Sequence, residues 1–146
     1  LLRLLVFFIG GFIRGSVLPL FTVLLGPLLS AADAVPADAE IMRLLVGKWK
    51  GTDSVTGTTG TIDYAKDGTF KGEGTVPLSG GKSVEFQVEG TWQVKDGAIH
   101  FKIKKSTRPG VAPVDAEITE TVLGIDDKTI RYKRGLGSEK TRERVK

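Results

Sequence analysis

From the middle of the chain onward, short runs place an apolar residue at every second position, and each run ends in a turn signal. In 84–95, Val84, Phe86, Val88, Gly90, Trp92 and Val94 fall on one side of an extended backbone, with Glu85, Gln87, Glu89, Thr91, Gln93 and Lys95 on the other. A period of two is that of a strand with one face buried, not of a helix. The same phase sends Ile62 and Tyr64, then Ile99, Phe101 and Ile103, then Ala116, Ile118 and Val122, then Ile130 and Tyr132 toward one interior. Lys66-Asp67-Gly68, Ser79-Gly80-Gly81-Lys82, Lys95-Asp96-Gly97, Arg108-Pro109-Gly110, Asp126-Asp127-Lys128 and Gly135-Leu136-Gly137-Ser138 punctuate the runs. Eight strands are therefore expected, near 47–53, 59–66, 69–76, 83–95, 98–106, 114–124, 128–134 and 139–146. Hairpin-sized connections make the fold class all-β: an antiparallel up-and-down eight-stranded barrel, whose closure removes exposed sheet edges. A two-layer sandwich is the alternative that the same pattern permits.

Residues 1–30 are of another kind, with no acid and only Arg3 and Arg14 as charges. The uncharged run 15–29, followed by Ala32-Asp33-Ala34, has the pattern of a secretory signal cut after Ala34 or, at a second Ala-x-Ala, after Ala39. The expected division is a signal peptide and linker over 1–39 and a β-barrel domain over 40–146, exported to a periplasmic or extracellular location. The alternative is an uncleaved membrane anchor. It would hold Arg14 mid-membrane at about 2.5–3.5 kcal/mol and would be interrupted by Pro19 and Pro27.

The 107 residues from Glu40 to Lys146 make one small domain with a modest core. The chain has no cysteine, so packing and a continuous hydrogen-bonded sheet must hold it together. Ahead of the first strand, Asp38 is placed to cap one helical turn carrying Ile41, Met42, Leu44 and Leu45.

At Leu45-Val46-Gly47-Lys48-Trp49 the chain resembles the start of lipocalins, with a Gly-x-Trp on the first strand after a short helical turn. Tyr64-Ala65-Lys66-Asp67-Gly68-Thr69-Phe70, then Gly90-Thr91-Trp92-Gln93-Val94 and a basic last strand extend the likeness. Together, over about 41–146, they resemble the lipocalin-like domains of small exported bacterial proteins, including secreted families expanded in planctomycetes. The resemblance implies a ligand-binding barrel in which an arginine near the carboxy-terminal end, Arg142 or Arg144, stacks on Trp49. An inward Val145 would instead turn both arginines outward. The chain is shorter than lipocalins and lacks their long carboxy-terminal helix.

Eight strands enclose an interior that side chains just fill, or that holds one small molecule. The candidate wall for a small hydrophobic or amphipathic ligand is Trp49, Tyr64, Phe70, Gly72, Gly74, Phe86, Trp92, Phe101, Glu120 and Tyr132. Gly72, Gly74 and Gly90 either let the strands coil or leave space inside. Glu120 lies in the inward phase of its strand and needs a partner such as Arg134 or a tyrosine hydroxyl.

Charge supplies a second candidate. Residues 128–146 carry eight lysines or arginines against Glu139 and Glu143, whereas 40–127 carry eleven basic and thirteen acidic residues. With β-barrel closure, Lys48, Lys50, Arg131, Lys133, Arg142 and Arg144 are expected to form an outward basic face toward an anionic surface or polymer. Nucleic acid fits poorly, because no aromatic row accompanies these cations. The lone His100 alternates outward, so neither a metal site nor a cofactor is expected, and without cysteine the parts of a nucleophilic enzyme are missing.

Overall fold

The structure, a computed structural model, describes residues 36–146; the expected signal segment, its first expected cleavage site and the anchor alternative lie outside them. Helix α1 (Asp38–Leu45) leads into eight strands: β1 (Gly47–Thr52), β2 (Thr59–Tyr64), β3 (Thr69–Pro77), β4 (Ser83–Lys95), β5 (Ala98–Ser106), β6 (Glu117–Ile125), β7 (Thr129–Arg134) and β8 (Glu139–Arg144). Each strand pairs antiparallel with the next, and β8 pairs back onto β1, so the sheet is a closed up-and-down barrel with no free edge. Among the described residues the ladders close on one another around one continuous buried core, so the barrel forms a compact unit of its own.

Closure sets which faces meet. Trp49 lies opposite both Ile62 on β2 and Arg144 on β8, and Ile130 on β7 lies opposite Arg142. The barrel has two unlike ends. At the base, α1 packs against β4 and β6, next to the tight turns 65–68, 96–97 and 126–128. Ile41, Leu45, Trp49, Tyr64, Trp92, Ile99 and Ile130 fill this half. The Trp49 indole donates to Leu45 O at 2.7 Å, and the Trp92 indole donates to Thr69 O at 2.9 Å, so both rings bury their polar atom satisfied. At the other end, the mouth, four loops (53–58, 78–82, 107–116 and 135–138), three of them longer than any base turn, stand around the opening.

Two local expectations are corrected. Asp38 does not cap the helix: Ala37 occupies the N-cap, and the Asp38 carboxylate accepts from the Asp96 and Gly97 amides at 2.9 and 2.7 Å. It thereby ties α1 to the β4–β5 turn, where Asp96 and Gly97 both have positive φ and their amides point out of the ladder. The sixth strand begins at Glu117 rather than near 114, because Asp115 takes φ 64° and closes a loop whose amide donates to Ile103 O.

Glycine matters most at Gly90. A Cβ there would lie 2.1 Å from Lys102 O, at the point where the β4–β5 register shifts between Glu89 and Gly90. At Gly74 a Cβ would strike the Phe86 ring at 2.8 Å, so the aromatic lies directly over the bare backbone.

Candidate functional site

The upper half of the barrel is not filled. A cavity of about 450 Å³ opens at the mouth, with Phe70, Phe86, Val88, Phe101, Ile103 and Ile118 on its apolar wall and loop residues Val111, Ala112 and Pro113 beside the opening. A larger hollow of about 800 Å³ lies on the outer face of strands β8 and β1–β4. Outward side chains such as Lys50, Thr61, Glu73, Glu85 and Gln87 line it. It is a polar, open groove of a twisted sheet, so the interior cavity is the better candidate.

The cavity ends on a cluster of charge. Glu120 on β6 is fully buried, and β7 brings Arg134 opposite it. Arg134 donates to Glu120 Oε1 at 2.6 Å, and Arg142 from β8 donates to both carboxylate oxygens at 2.7 and 2.9 Å. Arg142 also donates to the Tyr64 hydroxyl at 3.2 Å and stacks 4.2 Å from the Tyr132 ring centroid. Its place is open because Gly51 lies opposite it on β1 and carries no side chain.

Burial alone would raise the Glu120 pKa, but the two guanidiniums, Arg142 foremost, overcome it and hold the carboxyl below its ordinary value. Burial raises the Tyr64 and Tyr132 hydroxyls, so both stay neutral donors or acceptors. The two arginines and one glutamate leave one positive charge over. Arg142 is only 12% exposed and its guanidinium is engaged, whereas Arg134 is 49% exposed and spends one of its donors on Glu120. Beside them Lys140 pairs with Asp53, whose carboxyl is held down to about 2 by that ammonium and by the Thr56 and Val55 amides. That pair is neutral in sum.

The structure divides the residues expected from the sequence. Phe70, Gly72, Phe86, Phe101, Glu120 and Tyr132 line the cavity; Trp49, Tyr64 and Trp92 belong to the packed base, and Gly74 borders the outer groove. Arg134 meets Glu120 as expected, and Arg142, Lys140 and Asp53 are the lining charges that alternation alone did not assemble.

The basic face is corrected. Arg142 and Arg144 point inward with Lys140, because β8 pairs Arg144 with the inward Trp49 and Arg142 with the inward Ile130. The Arg144 guanidinium sits 4.3 Å from the Trp49 ring and donates to Val46 O, Asp127 O and Leu44 O, which is the stacking alternative. What remains outside is dispersed: Lys48 and Lys50 lie near Glu73 and Glu143, and Arg131 pairs with Glu139. His100 lies on the outer side of β5 beside Thr119, and no group of three metal-ligating side chains occurs among the described residues.

No family model matches the chain, and no curated protein does. Among solved structures the chain is similar to a lipocalin-like protein from Bacteroides uniformis: 16% identity, TM-score 0.47, covering 70% of this chain and 99% of that one. It is also similar to an uncharacterized protein from Bacteroides eggerthii: 17% identity, TM-score 0.43, covering 68% of this chain and 98% of that one. A redesigned β-barrel matches at 13% identity and TM-score 0.41, over 72% and 95% of the two chains. At such identities the likeness concerns the fold alone.

Proposed function

We propose that this domain is an exported, non-catalytic binder of a small amphipathic molecule with an acidic head group. The observation that carries the reading is the cavity of about 450 Å³ with an apolar wall and an Arg–Glu–Arg cluster holding one surplus positive charge. The volume falls in the range of small-molecule sites, about 300–1,000 Å³. A cationic ligand would meet that surplus charge. A wholly apolar one would strip water from Arg134 without replacing its hydrogen bonds. A carboxylate or phosphate can accept from the unspent Arg134 donors while its chain covers Phe86, Phe101 and Ile118.

Absence of catalysis is supported by the engagement of Glu120, the one fully buried acid among the described residues, and by the lack of any thiol or inward imidazole beside it. Export is supported by the uncharged run and the small-residue pattern that follow Arg14.

The test is native mass spectrometry of a 36–146 fragment offered a fatty acid, the alcohol and the amine of one medium chain length. The acid should be retained in preference to both, and Arg134→Gln should weaken its retention by more than about tenfold. Failure to take up any of the three, or preference for the amine, refutes the reading.

A further inference from the structure

Six large apolar side chains stand exposed among the described residues, and five of them occupy the mouth loops: Val55, Leu78, Val111, Val114 and Leu136. Each of the four loops contributes at least one. Val55 is 80% exposed, and Leu136 carries its whole side chain in solvent. The sixth, Met42, lies on α1 at the base. Single exposed apolar residues are ordinary on a protein surface; five gathered around one opening are not. None of them is needed by the barrel, whose core closes at the base and along the strands.

Charge is sorted along the same axis. The helix, the turns and the end of β8 at the base carry Asp38, Glu40, Asp67, Asp96, Asp126 and Asp127 against Arg43, Lys66, Lys128, Arg144 and Lys146, a slight excess of acid. The mouth loops carry two bases, Lys82 and Arg108, and two acids, Asp53 and Asp115; Lys140 already neutralises Asp53, which leaves one positive charge over. The surplus positive charge of the Arg134–Glu120–Arg142 cluster opens toward the same end. Among the described residues the mouth is therefore both the apolar and the more positive end of the barrel.

We infer that the mouth docks on an anionic lipid bilayer, with the loop tips entering the headgroup region and Lys82 and Arg108 meeting acidic headgroups. The geometry favours a bilayer over a folded partner. The tips sit on separate loops around a hole, and a stable protein interface needs a contiguous complementary surface of about 800 Å² on each side. A bilayer accepts separated apolar tips, and lipid headgroups and water fill the spaces between them. A slightly acidic base and a more positive mouth orient the approach before contact, since anionic membrane surfaces attract basic residues within a Debye length. Docking stands whether or not the cavity holds a ligand, so this surface and the ligand reading can fail separately.

The experiment is flotation of the 36–146 fragment with vesicles of phosphatidylcholine alone and of phosphatidylcholine mixed with phosphatidylglycerol. The fragment should float with the mixed vesicles, and the bound fraction should fall as salt is raised. The triple variant Val55→Ser, Val111→Ser, Leu136→Ser should lose more than about tenfold in vesicle affinity while its circular dichroism and urea midpoint stay those of the parent. Met42→Ser at the base should bind as the parent does. No flotation with mixed vesicles, or equal flotation of the triple variant, overturns the inference. So does a parent that dimerises in sedimentation velocity and becomes monomeric in the triple variant without ever floating, because the tips then serve a second copy.

Discussion

Replacing Arg142 with leucine tests the interior cluster most directly. Glu120 is fully buried and draws three charged hydrogen bonds, two of them from Arg142. Breaking a buried ion pair by removing one partner costs about 3–5 kcal/mol. Arg134 stays on Oε1 and is half-exposed, so it can partly follow the carboxylate; the low end, about 3 kcal/mol, is expected for Arg142→Leu. With a urea slope of about 2 kcal/mol per M, the midpoint at neutral pH should fall by roughly 1.5 M.

The sign of the pH dependence is the sharper check. In the parent, Glu120 titrates below its ordinary 4.5, so its contribution is present above that value and is lost as pH falls through the folded-state pKa. In Arg142→Leu burial acts against a single guanidinium, and the folded-state pKa should rise above the ordinary value. The variant should therefore regain stability between pH 7 and 5, where the parent changes little. The double variant Glu120→Leu with Arg142→Leu, which buries no charge, should recover most of the loss at neutral pH. A single variant whose midpoint stays within a few tenths of the parent's on the order of 1 M scale, or which is weaker at pH 5 than at pH 7, would refute the reasoning.

Two further outcomes are expected. Arg144→Ala removes the donor to Val46 O and Asp127 O and the cation over Trp49, and should cost about 2–3 kcal/mol in urea unfolding and alter the near-ultraviolet dichroism of the buried indole; Arg144→Lys should not rescue it, since an ammonium cannot span these acceptors. Gly90→Ala should cost about 3 kcal/mol or more, because the added methyl meets the backbone oxygen of Lys102 as well as the Phe70 ring, whereas Gly110→Ala, which meets nothing within 4 Å, should leave the midpoint in place.

Much of the architecture was legible because alternation and turn chemistry are local. The fourth and fifth strands, Ser83–Lys95 and Ala98–Ser106, have the bounds their patterns gave, and the hairpin-length links put consecutive strands side by side. Legibility failed at β8, where Glu139, Lys140, Thr141, Arg142, Glu143 and Arg144 are polar on both faces, so no apolar phase marks the inner side. A row of cations at every second position reads as a solvated face. Two hints existed: Glu120, a lone acid in an apolar phase, called for an inward cation such as Arg134, and the resemblance put Arg142 or Arg144 on Trp49, but neither fixed the phase of the whole strand.

The sequence by itself determined the strand count, the antiparallel order and the inward aromatic set, because a period of two and a glycine in a tight turn act over a few residues. Which side of β8 faces in was decided only by closure: pairing β8 with both β7 and β1 forces Arg142 and Arg144 into the phase of Ile130 and Trp49. Once inside, those guanidiniums must find acceptors, and Glu120, Tyr64 and the Leu44 and Val46 carbonyls, far away in the chain, are where the barrel places them. The division into a filled base and a hollow mouth has the same origin. It depends on how side chains from eight strands share one volume, a quantity that no single run of residues encodes.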